Sequence, residues 1–305
     1  MAEPQMNKPQ MDNPRMTDPK TSDPMMGEPM TGEPKKGGAP YESGTEQVQA
    51  WLDATTLHIR FNNPQRHNAL SVDMWAAVPP LLQQASADER VRLVVFSGAG
   101  EKAFVSGADI SQFEDMRAQK EAVKKYELLA EAALEGIYEF PKPTIACIKG
   151  YCVGGGVNVA IACDIRLASS DSTFFVPATR LGLGYRMSAM RNLTHLVGPG
   201  YAKDIFFTAR RLDAKEADKI GLVNRIVERD GLEGLLEEYT DAITTGAPLT
   251  IKAGKRIIRE LLKTDAEPVD MELCQQLILD CFESEDYMEG RRAFMEKRKP
   301  AFKGK

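Results

Sequence analysis

Three consecutive glycines, Gly154, Gly155 and Gly156, stand where an apolar run at 144–149 that reads as a strand gives way to an apolar run that reads as a helix. Backbone N–H groups in the first turn of a helix lack intrahelical partners and carry the positive end of its dipole, so they can donate to an anion or a developing oxyanion. A turn that needs one positive φ uses one glycine, and each further glycine costs conformational entropy and adds no packing. The surplus points to close approach by a ligand; close packing of the helix on a strand is the competing reading. A phosphate cradle is disfavoured, because neither the G-x-x-x-x-G-K-[ST] spacing nor a G-x-G-x-x-G opening a βαβ unit is present. An oxyanion site remains.

Other chemistries find little support. The three histidines, His58, His67 and His195, form no His-x-x-x-His pair and no Cys/His cluster, so metal catalysis is not expected. No G-x-S-x-G elbow exists for a serine hydrolase. The five cysteines, Cys147, Cys152, Cys163, Cys274 and Cys281, lie in apolar contexts without C-x-x-C spacing and read as reduced residues. A net charge of −5 argues against a general nucleic-acid or anionic-membrane surface. No apolar run approaches the ~20 residues of a membrane span, and no signal-peptide core opens the chain, so a cytoplasmic location is expected.

The elements that must position the glycines follow from periodicity. Residues 1–44 carry prolines at 4, 9, 14, 19, 24, 29 and 34, a five-residue repeat too polar to build a core and expected to be a disordered tail. Strands are expected at 48–52, 56–61, 93–98, 164–168, 173–176 and 222–227. Ser71 is expected to cap a helix through Trp75 and Leu81 that Pro79 and Pro80 bend or interrupt. A long amphipathic helix is expected over 121–138, with Tyr126, Leu129, Ala133 and Ile137 on one stripe, and further helices at 188–197 and 202–207. The predicted organisation is a tail at 1–44, an α/β core at 45–230 and a helical region at 231–305.

Four motifs resemble the crotonase superfamily, the enoyl-CoA hydratase/isomerase family, over about 48–303. They are the run from Asn63 through Arg66, His67, Asn68 and Ala69 to Ser71, the run from Ala103 to Ile110, the glycine loop, and Ala214 to Ala217 with Gly221 to Asn224. The resemblance implies an α/β spiral of β-β-α turns with a helical C-terminal extension, assembled as a homotrimer or a dimer of trimers. It implies an acyl-CoA thioester substrate and no cofactor besides the coenzyme A of that substrate. It also implies that the thioester oxygen lies between the N–H groups of Ala108 and Gly155, that Arg66 and Ala69 lie along the CoA moiety, and that Lys102, Ala103 and Phe104 pass its adenine. Lys297 and Lys303 are expected to reach CoA phosphates.

The pattern departs where hydratases of this family place two glutamates: here the positions hold Asn158 and Ala178. Neither transfers protons at neutral pH. Tyr185, followed by Arg186, matches a tyrosine of methylmalonyl-CoA decarboxylase that orients a substrate carboxylate, and a hydroxyl beside a guanidinium suits that task. The expected function is therefore acyl-CoA chemistry through a stabilised thioester enolate, with decarboxylation or silent acyl-CoA binding as alternatives. Ala108, Gly155, Tyr185 and Arg186 are the expected catalytic residues.

Overall fold

In the computed structural model, residues 41–109, 120–263 and 267–305 are described. The expectation for the proline-repeat segment lies almost wholly outside the described residues. Strands β1 (Val48–Asp53) and β2 (Thr56–Phe61) form a hairpin, and β3 (Leu93–Gly98), β5 (Thr144–Ile148), β7 (Ile165–Ser169) and β10 (Arg225–Val227) extend it in parallel to six strands. Strands β4 (Ala103–Val105), β6 (Tyr151–Val153), β8 (Thr173–Phe175) and β9 (Leu212–Asp213) form a second sheet of four. From β3 to β8 each turn of chain gives one strand to the large sheet, one to the small sheet and then a helix, which generates a spiral of β-β-α units.

Ser71 caps α1 (Val72–Ala87) as expected, its hydroxyl accepting from the Met74 N–H at 3.2 Å. Pro79 and Pro80 do not interrupt the helix. They fall on its more open side, while Met74, Trp75, Val78, Leu81, Leu82 and Ala85 are buried on the other. Burial of that face outweighs the lost hydrogen bonds. Helix α2 (Lys120–Glu139) buries Tyr126, Ala133 and Ile137 as the periodicity predicts, together with Ala130 and Leu134, and packs on α1.

The glycine-led helix is α3 (Gly155–Ala162), buried from Gly156 onward. A short α4 (Ala178–Leu181) leads to α5 (Met187–Thr208), whose helical path is broken at Gly198, at φ +73° and ψ 164°, so that the two helices expected there lie on either side of a kink. After α6 (Ala214–Lys219) comes α7 (Leu232–Thr244), whose Leu232 and Leu236 pack with Leu93, Val95, Ile145 and Leu167 on the outer face of the large sheet. The boundary expected near residue 230 therefore does not separate α7 from the core. Both faces of the sheet are covered, which is why β3 reads as an unbroken apolar run. Helices α8 (Pro248–Leu261), α9 (Met271–Glu283) and α10 (Glu285–Glu296) complete the chain.

The strand expected at 222–227 begins only at Arg225, because Leu222 and Asn224 are occupied by a buried arginine. Arg166, 2% exposed, donates to the carbonyls of Leu222 and Cys163 and to Oδ1 of Asn224. A guanidinium with no solvent needs such a ring of acceptors, so these residues serve the fold.

Candidate active site

The three glycines answer to three constraints. Gly154 sits at φ +50°, ψ −106°, and its N–H donates to the Phe175 carbonyl at 3.0 Å, so it makes the turn. Gly156 is buried, and a Cβ there would stand 2.4 Å from the Val105 carbonyl oxygen and 2.9 Å from the Val105 Cβ, so it is the contact of α3 with β4. At Gly155 an added Cβ would meet side-chain ends, Leu70 Cδ1 at 3.3 Å and Trp75 Cζ2 at 3.5 Å. The surplus of glycine thus owes more to packing than the sequence suggests, and Gly155, partly exposed, is the one whose backbone stays open. Gly156→Ala is expected to destabilise the protein by about 1–3 kcal/mol or more, since no rotamer relieves overlap with backbone. A urea midpoint unchanged from wild type would contradict that assignment.

Ala108 lies beside this turn. Its preceding carbonyl carbon, that of Gly107, is 3.9 Å from the Cβ position of Gly155. Leu70 brackets the Ala108 peptide: the Leu70 N–H donates to Gly107 O at 2.8 Å and Leu70 O accepts from the Asp109 N–H at 3.0 Å. The Ala108 side of this bridge is partly exposed, and among the described residues neither Ala108 nor Gly155 donates its N–H to another backbone carbonyl. Two donors held by buried neighbours and left open to a ligand can polarise one oxygen.

The loop before Leu70 is fixed from within. Asn68, fully buried at φ +57°, donates to Ala99 O and Ala103 O at 2.9 and 2.8 Å and accepts from the Asn63 N–H. Arg66 reaches across to Asp109, with one terminal nitrogen 2.8 and 3.1 Å from the two carboxylate oxygens. It is half exposed, so its outer edge remains at the surface. His67 caps the 3-10 turn Pro64–Arg66 in the left-handed conformation and meets the exposed Tyr151 ring edge to face. Ala69, Ala103 and Phe104 are buried, Phe104 against the edge of Phe61, so of the five residues expected along the CoA loop and adenine, Arg66 and Lys102 present side chains to solvent. Lys297 stands at the exposed C-terminal cap of α10 and shares no hydrogen bond or ion pair with them among the described residues.

One turn into α3, Asn158 is 3% exposed and accepts a 2.5 Å hydrogen bond from the Tyr185 hydroxyl. Tyr185 is half-buried and packs edge to face on Phe206. Burial pushes its hydroxyl above the ordinary tyrosine range, partly offset by the Asn158 bond and the Arg186 charge, so it remains a neutral donor at physiological pH. Ala178 is buried at the start of α4. Arg186 is engaged elsewhere: its guanidinium lies 2.5 Å from Glu127 and 3.6 Å from Glu131, both on α2. The sequence marks neither glutamate, and it reads Asp109 as a helix N-cap, whereas in the structure Asp109 pairs with Arg66. Spacing on α2 gave the signal that 127 and 131 share a face, but not what that face meets. Among the described residues, no group of three or more His, Cys, Asp or Glu could hold a metal ion.

The family model for enoyl-CoA hydratase/isomerase matches residues 52–305. A short-chain-enoyl-CoA hydratase of Clostridium acetobutylicum is 34% identical over 241 residues, covering 79% of this chain and 91% of the relative. A crotonyl-CoA hydratase of Syntrophomonas wolfei is 32% identical over 79% and 92%. A crystal structure of an enoyl-CoA hydratase/isomerase family protein from Hyphomonas neptunium is 40% identical, with a TM-score of 0.80 over 86% of this chain and 99% of that one.

Proposed function

We propose that this chain, which belongs to the enoyl-CoA hydratase/isomerase family, holds an acyl-CoA thioester by its carbonyl oxygen on the N–H groups of Ala108 and Gly155 and stabilises the enolate formed there. The observation that carries this reading is the pair of partly exposed amides on adjoining turns, each braced by buried neighbours. Charge moving onto the oxygen meets donors that need not reorganise, which is the usual source of rate enhancement in such sites. The acyl group then extends toward Tyr185 and Asn158. This pair offers a hydroxyl oxygen and an amide NH2, which can hold a water or an acyl oxygen but cannot take up a proton as a carboxylate does. The reaction is accordingly one that does not pass a proton through positions 158 and 178.

Arg66 and Lys102 are read as the CoA-facing cations and Lys297 as a weaker contributor to the same moiety. Helices α8 to α10 expose Ile258, Leu261, Ile278, Phe282, Phe294 and Met295 and line a groove of about 660 Å³, apolar surface that suits a trimeric or hexameric assembly. No helix among the described residues is long and apolar enough to cross a membrane.

Incubation with crotonyl-CoA, butyryl-CoA and methylmalonyl-CoA, with products identified by mass, tests the reading. Turnover of a thioester that is lost on removing the Gly155 N–H is the expected result. Binding of CoA without turnover of any thioester would leave a silent binding protein instead. Tyr185→Phe is expected to lower kcat about tenfold or more, because it removes a donor and leaves the buried Asn158 oxygen unpaired. Unchanged kinetics would take Tyr185 out of the site.

A further inference from the structure

Two elements carry tyrosines that reach Leu70 and Asn158 beside the proposed thioester site, and a charged strap joins them. On α2 the Tyr126 hydroxyl reaches Leu70 O at 3.5 Å, and ahead of α5 the Tyr185 hydroxyl reaches Asn158 Oδ1 at 2.5 Å. The next residue on each element is charged, and these two meet: Glu127 Oε2 lies 2.5 Å from Arg186 Nη2. One turn further along α2, Glu131 Oε2 lies 3.6 Å from Arg186 Nε, and both atoms are sealed from solvent without a hydrogen bond. The Arg186 side chain is 18% exposed, so this guanidinium is largely desolvated and faces two carboxylates. Among the described residues Asp109 is paired with Arg66, and the cluster of Arg186, Glu127 and Glu131 carries one negative charge in excess.

We propose that Glu127 and Glu131 neutralise Arg186 so that the acyl site rejects a carboxylate-bearing acyl group, and that its substrates are CoA thioesters of uncharged acyl chains. An anionic terminus would have to displace Glu127 from the largely buried guanidinium and then sit beside two carboxylates. These charges act at the site itself: the Tyr126 hydroxyl, raised to about 12 chiefly by burial, is drawn down by Arg186 and pushed up by Glu127 and Asp109. The inference rests on the reading that the thioester oxygen lies on Ala108 and Gly155. It also removes the part that Arg186 would play in holding a leaving carboxylate.

Calorimetric titration of the full chain with CoA, butyryl-CoA and succinyl-CoA tests it, using wild type, Glu127→Gln/Glu131→Gln and Glu131→Gln. Wild type is expected to favour butyryl-CoA over succinyl-CoA by about tenfold or more, as befits a charged group left without its partner. The double variant, freeing the guanidinium, is expected to bind succinyl-CoA about ten- to hundredfold tighter than wild type does, with CoA and butyryl-CoA affinities unchanged. The single variant should shift the preference in the same direction by less, and it decides the matter if the double variant does not fold. Equal wild-type affinities for the two thioesters, or a preference that folded variants leave unmoved, would overturn the proposal. If butyryl-CoA bound no better than CoA in any form, and Gly155→Pro changed no affinity, the thioester site itself would fall and this inference with it.

Discussion

Gly155→Pro is expected to reduce kcat/KM by about 10²–10³-fold, the usual consequence of deleting one oxyanion donor. The position suits the substitution: Gly155 is the first residue of α3, where proline is tolerated because its N–H has no helical partner to lose. An added Cβ there meets Leu70 Cδ1 and Trp75 Cζ2 at 3.3 and 3.5 Å, contacts that small side-chain shifts relieve. Gly155→Ala brings the same Cβ but keeps the N–H, so it separates the donor from the packing. Steady-state kinetics on the thioester that wild type turns over, with far-UV circular dichroism on each variant, gives the comparison. Alanine and proline variants of equal activity would show that the Gly155 N–H is not a donor to the reacting oxygen.

Asn158→Glu combined with Ala178→Glu is expected to raise crotonyl-CoA hydration by about 10²–10⁴-fold for each acid–base group that becomes productive. Both positions are buried, at 3% and 2% exposure, one on the first turn of α3 and one at the start of α4. A glutamate at 158 can still accept from the Tyr185 hydroxyl, which already donates to the oxygen there. Burial holds an added carboxyl above its ordinary range, the condition under which a carboxylic acid can deliver a proton near neutral pH. The measurement is loss of the enoyl thioester with formation of the hydroxyacyl product. A wild type that already hydrates crotonyl-CoA as fast as the double variant would mean that other groups move the protons, and that the departures at 158 and 178 carry no consequence.

Most elements were legible because their pattern and their burial have the same cause. The hairpin of β1 and β2, the β3 run and the α2 stripe all show the period that one covered face, or two, imposes. The second sheet was less so. Strands β4 and β6 have three residues each, too few to display a period, and the region of β4 reads as a loop. Gly150, at φ +61° with the Lys102 carbonyl 2.2 Å from its Cβ position, ends β5 so that the chain crosses to the other sheet. Pro79 and Pro80 mislead for the opposite reason: local chemistry argues for a break, and the apolar face of α1, packed in the core, overrides it.

By itself the sequence determined the family, the α/β spiral and the residue types at the site, because four motifs in fixed order, a glycine turn at a helix start and the absence of glutamate at 158 and 178 are all properties of the chain. What each residue does was decided by the tertiary structure. Gly154 turns the backbone, Gly156 packs it and Gly155 leaves it open, a division of labour that depends on where Val105 and Leu70 stand. Arg66 and Arg186 read as two cations available to a ligand. Only the fold brings Asp109 to one and Glu127 with Glu131 to the other, since partners separated by 43 and by more than fifty residues leave no trace in local spacing.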